Sequence, residues 1–235
     1  MLPREPVDSA QIPGGGTLEL VRHGKDYIIM LGRDELMGTR MQFSEEQLAE
    51  LTLDRLDVPA PRILIGGYGM GFTYRAALAR LPKEGRVVVA ELVPEILDWA
   101  KGPLADLTGN TLDDPRGRVE IEDVSDLIGD ASDRFQPLYD AILLDVDNGP
   151  DGLVRGDNNK LYSRTGLARA RDALNPGGIL AVWSAGPDPQ FARRLKNARF
   201  EVEERVVKAR PNNKGPRFTI WFARKASLTE QASDS

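Results

Sequence analysis

The sequence predicts an α/β protein. Its core is a Rossmann-like, doubly wound and mainly parallel seven-stranded sheet with an antiparallel C-terminal hairpin, preceded by a small N-terminal β-hairpin. Three observations carry this reading. From residue 62 onward, short β-branched apolar runs alternate with helix-patterned segments. The first of these runs ends in a glycine-rich turn, and the last two are joined by a polar loop too short to hold a helix.

Residues 1–16 carry Pro3, Pro6 and Pro13 before Gly14, Gly15 and Gly16, and read as a flexible N-terminus. Residues 17–58 form an N-terminal unit. Its hairpin pairs residues 17–21 with 27–31 about a glycine-containing turn, and its helix carries Leu48, Leu51 and Leu56. Ser44, followed by Gln47 three residues on, is the expected cap of that helix, and Pro59 and Pro61 stop it. The core domain spans residues 59–226. Strands are predicted at 62–66, 86–91, 118–122, 139–145 and 179–184, and helices near 71–81, 94–101, 124–129, 163–174 and 188–197. Residues 200–208 and 217–223 close the sheet edge as a hairpin, and the polar segment 227–235 reads as a flexible tail.

The first core strand, Ile63-Leu64-Ile65, runs into Gly66, Gly67, Gly69 and Gly71 just before a helix. This is the nucleotide-binding corner of an open α/β sheet. Side chains would block the ligand there, and the helix start offers unpaired N–H groups. Glu91 ends the next strand, 20 residues after Gly71. A carboxylate in that place accepts hydrogen bonds from a ribose diol; the plainer alternative is an acid opening the following helix at Pro94. Asp123, after the apolar run at 119–121, is a candidate acceptor for the exocyclic amine of an adenine, or an ordinary acidic turn. Asp145 ends the run Ala141-Ile142-Leu143-Leu144 at the same sheet edge, placed to take a proton from an amine nucleophile or to hold an ammonium. Its alternative is a loop cap. The polar segment after it, with Asp147 and Asn148, is long enough to close over a pocket. Asp145, Asp147 and Asp151 do not make a calcium loop, because Gly149 and Gly156 fall where ligands are needed.

Composition narrows the function. Net charge is −5 without a basic block, which disfavours nucleic acid as a partner. No apolar run approaches membrane-spanning length and no secretory leader is apparent, so the cytoplasm is the expected compartment. Cysteine is absent and His23 is the sole histidine, in a surface turn, so no metal is expected. An antiparallel close to the sheet, with the turn Leu174-Asn175-Pro176-Gly177-Gly178 before the fifth core strand, favours S-adenosylmethionine-type donors over nicotinamide dinucleotides.

From about residue 17 to 223 the chain resembles the spermidine synthases (polyamine aminopropyltransferases). The resemblance lies in the N-terminal hairpin, Glu35-Leu36-Met37, Ser44-Glu45-Glu46, the glycine turn, Glu91, Glu122-Asp123 and Leu144-Asp145 with its lid. It implies that decarboxylated S-adenosylmethionine binds the glycine turn, with its ribose on Glu91 and its adenine near Asp123. It also implies that Asp145 deprotonates the attacking amine, that Tyr162 lies near an aromatic following the lid, and that the chain pairs as a homodimer through its N-terminal region. Three features depart from the family. The usual Gly-Gly-Gly-Asp-Gly turn, whose acid binds the aminopropyl amine, has Tyr68 and Met70 and no acid. The lid reads Asp145-Val146-Asp147-Asn148-Gly149 instead of Asp-Ser-x-Asp-Pro. Met41-Gln42-Phe43 replaces the signatures that shape the diamine pocket. Aminopropyl transfer to an amine is therefore the leading expectation, with a small-molecule acceptor. S-Adenosylmethionine-dependent methyl transfer is the first alternative, because ordinary S-adenosylmethionine has a carboxylate that backbone N–H groups accept. A non-catalytic nucleoside-binding protein is the second.

Overall fold

The computed structural model describes residues 3–135, 137–146, 159–212 and 214–227. Period-two alternation in the core strands gives the sheet two buried faces. One set of residues, including Ile63, Ile65, Val87, Val89, Ala141 and Leu143, packs on one side; Leu64, Val88, Ala90, Ile142 and Leu144 pack on the other. This is what near-continuous apolar strands require, since both faces must be covered by helices.

The large sheet is built from β5 (Arg62–Gly66), β6 (Arg86–Glu91), β7 (Gly117–Ile121), β8 (Tyr139–Leu144), β9 (Leu174–Ser184), β10 (Phe200–Lys208) and β11 (Arg217–Lys225). Its order is β10-β11-β9-β8-β5-β6-β7, parallel from β9 to β7, with β11 antiparallel to both β9 and β10. The chain winds outward from β5 to β7 and then returns to place β8 on the other side of β5. The crevice at the C-terminal ends of β5 and β8 is thus the topological switch point, where open α/β sheets take their ligands.

Helices α1 (Phe43–Leu53), α2 (Phe72–Arg80) and α3 (Glu95–Lys101) contribute to the first core, through Leu48, Ala77 and Trp99 among others. A one-turn α4 (Ala105–Thr108) follows α3. The second core takes α5 (Val124–Ser132), α6 (Asn159–Tyr162), α7 (Arg164–Asp172) and α8 (Pro189–Asn197), with Ile128, Tyr162, Leu167 and Phe191 buried.

The N-terminal region differs from its prediction. In place of a two-stranded hairpin there is a four-stranded antiparallel sheet of β1 (Glu5–Gln11), β2 (Thr17–His23), β3 (Asp26–Leu31) and β4 (Asp34–Gly38). Residues 5–11, expected to be flexible, pair with β2, and Asp8 accepts the Trp99 indole N–H at 2.8 Å. That bond fastens the edge strand to α3. The apolar run at 27–31 is also divided: Ile29 faces the main core, while Ile28 and Met30 form a small cluster with Val21 on the other face. Four strands bury what two strands would leave exposed.

Two local expectations also change. Ser44 does not cap α1; it lies inside the helix, its hydroxyl donating to the Met41 carbonyl, and Gln42 holds the cap position without a side-chain bond. The Pro176-Gly177-Gly178 segment lies within the irregular opening of β9, where the register with β8 shifts. No helix among the described residues is long and apolar enough to cross a membrane.

Candidate active site

A cavity opens at the switch point. One wall is the apolar face of the N-terminal sheet, with Leu18, Ile29, Leu36 and Met37 together with Ile12; the opposite wall carries Gly67, Gly69, Glu91, Asp123 and Asp145. Three strand-end acids predicted from sequence thus meet in one cleft. The N-terminal sheet, expected to pair with a second subunit, supplies an apolar wall of the cleft.

The glycines are explained by close approach. A Cβ on Gly67, whose φ is +87°, would lie 2.7 Å from the Asp145 carbonyl oxygen, so the turn meets the end of β8 only without a side chain. On Gly69, at φ +53°, a Cβ would lie 2.5 Å from the Met37 methyl. The Tyr68 side chain that interrupts the glycines is buried and faces Tyr74, ring centroids 5.8 Å apart, leaving the cleft open. Gly71 caps α2, and no acid occupies the first turn of that helix.

Glu91 is more deeply engaged than expected. One of its oxygens accepts the backbone N–H of Tyr68 at 2.9 Å; the other accepts those of Leu92 at 2.8 Å and Val93 at 2.9 Å. Glu91 is 9 % exposed and ties the glycine turn to β6 and the loop after it. Asp123 caps α5, its Oδ1 accepting the backbone N–H of Ser125 at 2.8 Å and the Ser125 hydroxyl at 2.7 Å.

Asp145 is half-buried just past the end of β8 and accepts the Thr73 hydroxyl at 2.7 Å. Burial pushes its carboxyl up to about 6, against the pull of the Thr73 hydroxyl. The same hydroxyl contacts the Glu45 backbone carbonyl at 3.2 Å. Glu45 is 7 % exposed, and its carboxyl is raised well above the usual range, first by burial and then by the charges of Asp145 and Glu46. Neither Thr73 nor Glu45 was singled out for a role in the site from sequence. The signal for Glu45 is its spacing. It shares the buried stripe of α1 with Leu48, Ala49 and Thr52, where an ionisable residue is costly.

Tyr162 does not line the cleft. Its ring is buried edge-on against Phe191 at 5.5 Å, and its hydroxyl lies 3.5 Å from the Val146 carbonyl. Asp147 and Asn148 lie outside the described residues.

No family model matches the chain. The polyamine aminopropyltransferase of Mycobacterium tuberculosis (strain CDC 1551 / Oshkosh) is 34% identical over 169 residues, covering 72% of this chain and 31% of the relative. That of Nitrosomonas europaea is 29% identical over 160 residues, covering 67% of this chain and 46% of the relative. The chain therefore spans less than half the length of these relatives. Among solved structures, a spermidine synthase from Thermotoga maritima superposes with a TM-score of 0.74 at 18% identity, covering 94% of this chain and 73% of that one. A spermidine synthase in complex with the transition state analogue AdoDATO gives a TM-score of 0.73 at 18% identity, over the same shares. At that identity the structural likeness bears on the fold.

Proposed function

The chain belongs to the spermidine synthase family, and from that premise we propose that it is a transferase using an adenosylmethionine-type sulfonium donor, with aminopropyl transfer to an amine as its reaction. The observation that carries the reading is Asp145, a half-buried carboxylate lining the cleft at the switch point, whose proton affinity is raised toward neutrality. A general base works best when its affinity lies near the operating pH.

In this reading the donor nucleoside lies along the glycine turn. The Glu91 oxygen that holds Tyr68 has a lone pair left for the ribose diol, and the Asp123 carboxylate faces the adenine amine. The acceptor nitrogen attacks the aminopropyl carbon next to sulfur. The new C–N bond forms as the C–S bond breaks, the sulfur leaves as a neutral thioether nucleoside, and Asp145 takes the proton from nitrogen. The apolar wall of Leu18, Ile29, Leu36 and Met37 helps to keep water from the sulfonium.

A second reading, methyl transfer from ordinary S-adenosylmethionine, is favoured by one observation. Counted from Gly66, the family's Gly-Gly-Gly-Asp-Gly turn puts its acid at Gly69, which here carries no side chain and faces the end of Met37. A homodimer through the N-terminal sheet is proposed on the resemblance alone, and a monomer at micromolar concentration in sedimentation contradicts it. Calorimetry with each donor tests the reaction. Binding of decarboxylated S-adenosylmethionine, with transfer to an amine lost in Asp145→Asn while donor affinity stays, is the expected result. Tight binding of S-adenosylmethionine alone replaces the aminopropyl reading with the methyl one.

A further inference from the structure

Glu45 has no task in the transfer as described, yet its position is hard to account for by the fold. It is 7 % exposed, and among the described residues no hydrogen bond or ion pair engages its carboxylate, whereas the neighbouring Glu46 is paired with Arg75 at 2.8 Å. An unpaired buried carboxylate costs stability, and Leu48 and Ala49 beside it show that apolar residues are accommodated on the same stripe. The Thr73 hydroxyl, in contact with the Glu45 carbonyl at 3.2 Å and with Asp145 at 2.7 Å, holds the first turn of α1 against the end of β8. The charge of Asp145 reaches the Glu45 carboxyl, and two acids so placed ionise together most readily with a cation beside them.

The glycine turn supplies no such charge. The family's acid falls at Gly69, where a side chain meets Met37. We propose that Glu45, together with Asp145, receives the ammonium of the donor's aminopropyl group, so that helix α1 provides the acid that the turn lacks. This rests on the aminopropyl reading and deepens it. The pair is also a selectivity device. A carboxylate on the same arm, as in ordinary S-adenosylmethionine, would be driven against two acids, so the site discriminates by repulsion as well as by attraction.

The test is calorimetry on the full chain with two probes, decarboxylated S-adenosylmethionine and methylthioadenosine, which lacks the aminopropyl arm. The wild type is expected to prefer the first by at least about tenfold. Glu45→Gln, nearly isosteric, is expected to lose roughly ten- to a hundredfold in affinity for the aminopropyl donor and less than about twofold for methylthioadenosine. Glu45→Asp keeps the charge on a shorter stem and should retain most of the preference. Equal losses for both probes, an unchanged preference in Glu45→Gln, or the same preference in the Gln and Asp variants overturns the assignment. Methylthioadenosine binding by the wild type with no preference for the aminopropyl donor overturns it too and leaves the nucleoside site standing. Binding of neither probe overturns the transferase reading itself.

Discussion

The carboxylate of Glu91 accepts the backbone N–H of Tyr68 at 2.9 Å, so the acid that ends β6 is a strut of the glycine turn that follows β5. With the Leu92 and Val93 amides on its other oxygen, one side chain fixes three backbone donors around the nucleoside corner. With the proposed ribose role, recognition and architecture share this residue, and its substitution has two effects.

Glu91→Gln is expected to weaken donor binding by roughly ten- to a hundredfold. It should also destabilise the fold by about 1–3 kcal/mol, because the amide turns an –NH2 donor toward backbone N–H groups that need an acceptor. Calorimetry and thermal melting read the two losses separately. Unchanged melting with weakened binding would assign Glu91 to the ribose alone; the reverse would make it purely structural.

Thr73 holds Asp145 in its charged form by donating to it at 2.7 Å. Thr73→Val removes that bond and keeps the shape, so the Asp145 carboxyl should rise further above about 6. If Asp145 is the base, the acidic limb of the kcat profile for aminopropyl transfer moves to higher pH. A lower kcat with an unmoved limb would place Thr73 in packing only.

Stability should carry the mark of the same acids. Asp145 and Glu45 both bind protons more tightly in the folded state, so their contribution is full below the ordinary carboxylate range. It is lost as pH rises, through about 6 for Asp145. Asp145→Asn should therefore gain stability over the wild type as pH goes from 5 to 7 without ligand, by about 1 kcal/mol. Melting temperatures of the two proteins across that range give the difference directly. A constant difference would mean that Asp145 already ionises as an ordinary carboxylate in the folded protein.

Much of this was legible in the sequence, for physical reasons. A parallel strand covered on both faces must be apolar throughout, so Val87-Val88-Val89 declares itself, and the first charge after it, Glu91, marks the sheet edge. Glycines forced by close approach, such as Gly67, stand out in the same way. What stayed hidden is held by single long-range contacts. β1 buries only Ala10 and contains Pro6, so it reads as loose; its place is set by pairing with β2 and by the Asp8–Trp99 bond. Glu45 was hidden differently. An acid in the first turn of a helix is what the helix dipole favours anyway, and only its register with Leu48, Ala49 and Thr52 separates a buried acid from a solvated one. Engagement of Glu91 by three amides has no sequence signal, since it depends on how the turn folds back.

The end of Met37 stands against Gly69, and that contact yields the last prediction. Placing an acid there as Gly69→Asp is expected to push Met37 aside, because a Cβ would lie 2.5 Å from its methyl, with the backbone at φ +53°. The Met37 end is flexible and Asp tolerates that backbone region better than most residues, so the cost should stay near about 1 kcal/mol. The single variant should melt lower and bind the donor more weakly. Met37→Ala is expected to lose some apolar contact by itself, but in combination with Gly69→Asp it frees the space the new side chain needs. The double variant should then recover stability over Gly69→Asp and regain affinity for decarboxylated S-adenosylmethionine, a positive coupling between adjacent sites. Melting and calorimetry on the four proteins measure it. Additive losses would mean that Met37 and a side chain at Gly69 do not compete for space.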